Sequence, residues 1–440
     1  MGGVEIDSSA LGIGLVQKLD IAEQQRDHGG RVRRRILLAW CAVLSLGVAC
    51  AVPSSPDGGT ATSTSTTVPP HPSTRYFGDA APWNKFAEPY GRLPQYQSYV
   101  DRLWDYSNFG STANPSLKGQ FSSYFQDYSV PIYDAREATT TIRVFKATYG
   151  YDSNLGNGAS IPWNPAWVPA PGNDHNMVIV DPPTGREWDL WLVQLNNYGG
   201  CVEPVNILLG YAAGVDLCVG TMNLVMDPNH APANIWTSIA GFPSRGMGLP
   251  KLALTVRPEE VASGYVDHAL ALVIYNAMFG PQCTNQQMGT AAAGVDCGFY
   301  LNPATRFELS AGPQNFCGAN NPPNTSFARS KTIPNGMRFG LDITDAEITS
   351  WLDSRGYTGA RRTTAKVLAE SIRRYGFIAA ESSCYDAGFE FEGMANPQAK
   401  ARWAALGVTD DSTAITLLHG LFKKDSLYVV NPSEPIPVGR

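Results

Sequence analysis

The sequence predicts a mainly β, secreted domain of β-sandwich or jelly-roll type with a few helices. Three observations predict it. Runs rich in β-branched and aromatic residues recur with turn signals between them, and they do not alternate with helical segments as βαβ units would. Glycine and proline number 43 and 32, whereas charged residues make up only 16% of the chain, a composition that builds turns and loops more than long salt-bridged helices. Six cysteines, Cys201, Cys218, Cys283, Cys297, Cys317 and Cys384, lie beyond an apolar leader, and an even number is the mark of a disulfide framework in an oxidising compartment.

The elements follow in order. Tyr99, Leu103 and Trp104 have partial helical spacing and predict a short helix at about residues 95–107. Strands are expected at VPIYDA (130–135) and TTTIRVFKA (139–147), with an extended Pro/Trp loop at 161–172. NMVIVDPPTGREWDLWLVQL (176–195) is the clearest hairpin, turning at Pro182–Gly185 between two apolar runs. TMNLVMD (221–227), LALTV (252–256) and DHALALVIYN (267–276) are read as further strands. Glu259 and Glu260 follow Pro258, where acids favour the start of a helix. DAEITSWLDSRG, capped by Thr344 or Asp345, and the main helix near residues 362–375, with Val367, Leu368, Ile372 and Tyr375 on one face and Gly376 as its C-cap, close the order. Cys201–Cys218 and Cys283–Cys297 would each staple a loop, and Cys317–Cys384 would tie distant segments; no CxxC pair suggests zinc.

A formal charge of −6 gives no electrostatic basis for nucleic-acid binding. No GxSxG elbow, P-loop, HExxH or Rossmann glycine pattern occurs in the sequence. The polar candidates are therefore single residues set in apolar strings. His268 is expected on the face of Leu270, Leu272 and Ile274, and His175 on that of Met177 and Ile179; a core histidine is the commoner outcome for each, but a pair flanking one cleft would supply acid, base or hydrogen-bond donor. Asp189 shares a strand face with Glu187 and Trp191, the arrangement of a carboxylate beside a sugar-stacking platform. Glu381 follows the apolar strand FIAA. These point to an extracellular polysaccharide-active enzyme, most simply a glycoside hydrolase with Asp189 and Glu381 as its two carboxylates and His175 and His268 positioning the sugar. Trp191 and Trp236 would stack on it. A polysaccharide lyase would instead use His268 or Tyr375 as base and Arg338 to neutralise a uronate. A non-catalytic carbohydrate-binding envelope lipoprotein would need the aromatic platform alone. No cofactor is expected, apart from a structural calcium that the loop DSNLGNG (152–158) could hold.

The chain also resembles a family of secreted, β-rich bacterial proteins of actinobacterial type. The resemblance rests on an ordered series of short strings: HNMVIVD (175–181), EWDLW (187–191), Trp236-Thr237-Ser238, Gly248-Leu249-Pro250, Arg257 to Glu260, Asp267-His268-Ala269-Leu270, IPNGMRFGL (333–341) and RYGFI (374–378). It covers about residues 130–385 and implies a secreted β-rich fold with polysaccharide as partner, without a mechanism. Two departures stand out: Glu381-Ser382-Ser383 where the family has Asp-Asn-Gly-Ser, and the cysteine-rich insertion around Cys283–Cys317.

Targeting is read from the N-terminal part. Arg33, Arg34 and Arg35 precede the apolar run Ile36–Ala49, which fits a signal peptide and is short for a membrane span. Ala49-Cys50-Ala51 offers cleavage after Ala51, and LGVAC offers Cys50 as the lipid-bearing residue of a lipoprotein. Residues 51–75 form a Ser/Thr/Pro linker too poor in apolar side chains to fold. Residues 76–440 are expected to be the secreted domain, with a helical C-terminal part, residues 32–50 the signal peptide, and residues 1–31 either a stretch ahead of the true start, because Val32 suits a bacterial start, or an extended leader. Mass spectrometry of the native protein is expected to recover no peptide from residues 1–31; recovering one refutes the Val32 start.

Overall fold

In a computed structural model of the chain, residues 76–78, 81–108, 110–148, 153–196, 199–226, 245–308, 328–383, 386–409 and 413–431 are described. They all belong to one compact unit, Thr74–Arg440. That unit holds every sheet, hydrophobic cluster and disulfide given below, so it contains what it needs to fold. Among the described residues no helix is long and apolar enough to cross a membrane.

The fold is sheet-rich, with three mixed sheets and few helices, and no sheet closes into a barrel. The strands are β1 (Ser122–Tyr124), β2 (Ile132–Asp134), β3 (Thr140–Lys146), β4 (Ala159–Trp163), β5 (Met177–Asp181), β6 (Arg186–Trp191), β7 (Leu217–Val219), β8 (Thr221–Met226), β9 (Leu270–Ile274), β10 (Arg338–Leu341), β11 (Phe377–Ser382), β12 (Gly388–Glu390) and β13 (Leu427–Val429). The six-stranded sheet has the order β1-β12-β9-β11-β10-β13, the four-stranded sheet β2-β5-β6-β8, and the three-stranded sheet β4-β3-β7. The hairpin expected over 176–195 forms as β5 and β6, antiparallel, with Met177 opposite Leu190 and Asp181 opposite Arg186.

Alternation divides the sheet faces. Met177, Ile179, Trp188, Leu190 and Met222 of the four-stranded sheet share a core with Ile142, Val144, Ile161, Leu217 and Val219 of the three-stranded sheet. Its other face carries Val178, Val180 and Val225 into a second core with Ala271, Ile378 and Ala380 of the six-stranded sheet and with Ala269 just before β9. Leu270, Leu272, Phe377, Ala379, Phe389 and Phe391 point the opposite way, into the largest core. There they meet the helices α4 (Asp345–Ser354), α5 (Gly359–Tyr375) and α6 (Pro397–Ala405). The shorter helices are α1 (Ser98–Asp105), α2 (Pro204–Leu208) and α3 (Pro258–Ala262).

Helix ends follow local chemistry. Thr344 and Glu347 form a reciprocal capping box at α4. α5 buries Val367, Leu368, Ile372 and Tyr375 and ends at Gly376. α3 starts at Pro258, and the Glu260 carboxylate accepts from the Arg257 amide. The sequence reading missed α2 and α6, both of which open on proline.

Disulfides Cys201–Cys218 and Cys283–Cys297 staple their loops as the spacing predicts. Cys317 and Cys384 lie outside the described residues, as do Trp236, Cys50 and residues 1–75.

Two strand expectations change. LALTV is not a strand: Lys251–Ala253 forms a single 3-10 turn. Its backbone amides are drawn out of any ladder because the Lys251 N–H donates to Asp189 Oδ2 at 3.1 Å and the Leu252 N–H to Glu187 Oε1 at 3.0 Å. DHALALVIYN becomes a strand only from Leu270, so Asp267 and His268 precede the pleat.

Gly376 carries φ +66° and ψ −156°, and a Cβ there would stand 2.1 Å from the Phe339 carbonyl oxygen. Both the conformation and the contact demand glycine. Gly376→Ala is expected to cost about 2 kcal/mol or more, read as a lowered urea midpoint; an unchanged midpoint contradicts this.

Candidate active site

The facing four- and six-stranded sheets bury an unusual number of carboxylates between them. β6 contributes Glu187 and Asp189, both fully buried. β11 contributes Glu381 and β12 contributes Glu390. The segment that begins at Arg245 runs between the sheets and supplies the compensating donors. Arg245 Nη1 pairs with Glu390 and, at 3.2 Å, with Glu381; its Nη2 donates to the Lys251 carbonyl and to Thr255 Oγ1, each at 2.8 Å. Lys251 Nζ lies 3.4 Å from Glu381 Oε1, and the Gly246 amide donates to Glu381 Oε2 at 3.2 Å.

Asp189 and Glu381, the two carboxylates singled out from the sequence, therefore meet at one residue. Lys251 gives its amide to the first and its ammonium to the second. Their exposures differ: Asp189 is sealed, whereas 15% of the Glu381 side chain is open against 1% for Lys251 and 0% for Arg245. Glu381 is the member of the network that faces outward.

Around that opening stand residues the sequence reading did not single out. Glu308 accepts from the Ser382 amide at 2.5 Å and from Ser382 Oγ at 2.7 Å. It fills the space over Gly246, where a Cβ would lie 2.4 Å from the Glu308 carboxyl carbon. Gly246 thus admits Glu308 on one side while its amide holds Glu381. Asp174 accepts from Trp191 Nε1 at 3.4 Å and lies close enough to Glu381 to be raised by its charge.

The electrostatics separate these groups. Burial alone raises Glu381, but Lys251 and Arg245 outweigh it and bring the carboxyl down to about 2. Burial and then the Glu381 charge push Glu308 up to about 7. Glu390 is likewise raised to about 7, by burial before Arg245 and Glu381 act on it. Asp174 is raised by burial and by Glu381. Burial and the adjacent Asp189 carboxylate hold Glu187 well above the usual range.

The other sequence candidates have separate places. His175 lies half-buried next to Asp174, but its φ of +43° takes it out of the pleat, so it does not share the Met177 and Ile179 face. Its carbonyl accepts from the Val193 amide. His268 is buried, with Nδ1 2.8 Å from the Ala269 carbonyl and Nε2 3.3 Å from Glu260. It belongs to a second polar cluster with Arg257, Glu260 and Glu392. Arg338 spends its guanidinium on the carbonyls of Tyr375 (2.7 Å from Nε), Lys85 (2.5 Å) and Pro82 (3.3 Å). The Tyr375 hydroxyl lies 2.9 Å from that of Tyr265. Among the described residues no group of three His, Cys, Asp or Glu could hold a metal ion. In the loop proposed for calcium, Asn154 and Asn157 spend their side-chain oxygens on the Leu224 and Lys146 amides.

These shifts set the stability profile. Glu308, Glu390 and Glu392 have folded values of about 7, 7 and 8 against an ordinary 4.5. Their neutral forms fit the fold, so stability is full below about pH 4.5 and is lost as pH rises toward 7–8. His268 is raised above 6.5 because Glu260 outweighs its burial, so its contribution also fades as pH rises through its folded value. Glu381 and Glu260 are brought to about 2, and their contribution is lost as pH falls from about 4.5 to 2. Thermal melts of Thr74–Arg440 are expected to peak near pH 5 and to decline toward pH 8, with Glu392→Gln flattening the decline. A melting temperature that climbs from pH 5 to 8 contradicts this assignment. No known protein family, curated protein or solved structure matches the chain.

Proposed function

We propose that the rim formed by Glu381, Glu308, Asp174 and Trp191 is the active site of a polysaccharide-active enzyme, a glycoside hydrolase working outside the cell on envelope or environmental glycan. The supporting observation is the pair of carboxyls at Gly246 whose proton affinities are driven apart, Glu381 to about 2 and Glu308 to about 7. Glycoside cleavage asks for one carboxyl that keeps its proton near neutrality and one that has lost it. Glu308 gives its proton to the departing glycosidic oxygen. Glu381 supplies the negative charge at the anomeric carbon, as base to a water or as nucleophile. Trp191 offers the stacking surface. Asp189 acts behind them, fixing the Lys251 backbone so that its ammonium meets Glu381. We read the facing four- and six-stranded sheets as a sandwich-type frame for this site. A lyase would need Arg338, Tyr375 or His268, each of which has partners within the fold.

Glu308→Gln tests this most cleanly, because glutamine mimics the protonated carboxyl and leaves the Ser382 contacts a partner. Release of reducing ends from cell-wall polysaccharide is expected to fall by roughly 10²-fold or more, with little change in melting temperature; Glu381→Gln should lose activity too. Full activity in Glu308→Gln removes the acid role. A product absorbing in the ultraviolet would identify a lyase. Glycan pull-down by wild type with no release of sugar would identify a binding protein.

A further inference from the structure

The loop closed by Cys201–Cys218 is patterned inside out. Its polar residues turn inward. Asn206 and Asp216 are buried; Asn206 donates to the Lys146 carbonyl and accepts from Asn157 Nδ2, and Asp216 pairs with Arg143 at 2.7 Å. Its aliphatic residues turn outward. Val202, Val205, Ile207, Leu208, Leu209 and Val215 are all exposed, Leu208 at 87% and Val215 at 67%. They account for most of the large exposed hydrophobic side chains among the described residues. The Gly214 amide donates to the Leu195 carbonyl, which brings exposed Leu195 to the same surface. The disulfide, the Arg143 pair and an Arg143 bond to the Gly210 carbonyl at 2.7 Å hold this face in place.

We propose that this aliphatic face docks on a lipid bilayer. A grouped exposed apolar surface marks an interaction site, and its composition separates the possible partners. Protein interfaces concentrate their energy in Trp, Tyr and Arg, and none of the outward residues is of those types. Val, Ile and Leu on a projecting turn suit the acyl boundary of a membrane. Arg143 neutralises Asp216, so the charge left beside the patch is Glu203, which accepts from Thr148 Oγ1. That favours a zwitterionic over an anionic surface. The chain outside the described residues gives the geometry. If Cys50 bears lipid, only the 25 residues from 51 to 75 separate that anchor from the domain, which keeps the domain within reach of the bilayer. With the domain tethered there, the loop is a second contact with the same surface.

The test is flotation of Thr74–Arg440 with phosphatidylcholine vesicles, compared with Leu208→Asp and Val215→Asp. Both side chains are exposed, so melting temperatures should hold. The vesicle-bound fraction is expected to fall about tenfold in Leu208→Asp, and less in Val215→Asp. Wild-type protein that stays with the lipid-free fraction overturns the proposal. So does equal flotation of wild type and both variants. Wild-type dimers in gel filtration that Leu208→Asp dissociates, without flotation, would reassign the face to contact between copies of the chain.

Discussion

Acidic side chains enclosed between two sheets set the terms for the rest of this structure. Enclosing an acidic side chain is costly unless charge or hydrogen bonds meet it, and Glu187, Asp189, Glu381 and Glu390 are met by one short segment. Arg245 supplies a guanidinium, Lys251 an ammonium, and Gly246, Lys251 and Leu252 their amides. This is why the segment forms a turn and not a strand. It is also why one charged residue can be fully buried beside another: Arg245 and Lys251 each have an acid to face.

The division of protons follows from depth and neighbours. Glu381 lies where two cations converge and is held down to about 2; Glu308 lies beside Glu381, bonded by Ser382, and burial and that neighbouring charge raise it to about 7. A carboxyl with raised and a carboxyl with lowered proton affinity are thus set side by side by the same arrangement that stabilises the interior. The second cluster, with Arg257 between Glu260 and Glu392 and His268 on Glu260, repeats the device around the start of α3. There Glu260 and His268 are both buried, whereas the Glu381 side chain is partly exposed.

Much of the frame was legible in the sequence. The β5–β6 hairpin shows in its alternation and its Pro-Pro-Thr-Gly turn, and α5 shows in its apolar face and terminal glycine, because both signals are local. The site was legible only in part. Asp189 and Glu381 stood out as acids in apolar strings, and the structure brings both to Lys251. Glu308 and Asp174 gave no such signal, because their surroundings come from residues far along the chain. In GFEFEG, Glu390 and Glu392 alternate with Phe389 and Phe391, and both acids are buried, a burial that no local pattern signals. His268 was misplaced by three residues of strand that do not form, and His175 by a backbone turned into the left-handed region.

The connectivity of the six-stranded sheet has a kinetic side. β1 pairs in parallel with β12, Ser122 lying opposite Gly388, and Arg92 bridges to Val430. The early part of the domain therefore finds its partners only in its last part. Such remote pairings close large loops before they return any contact energy, and they slow folding. The six-stranded sheet cannot be completed on a partly synthesised chain. Until β12 has emerged, β1 and one edge of β9 stay unpaired, and β10 waits in the same way for β13; these edges are open to other chains, so holding the nascent polypeptide extended becomes as much a requirement of this topology as any contact within the finished domain.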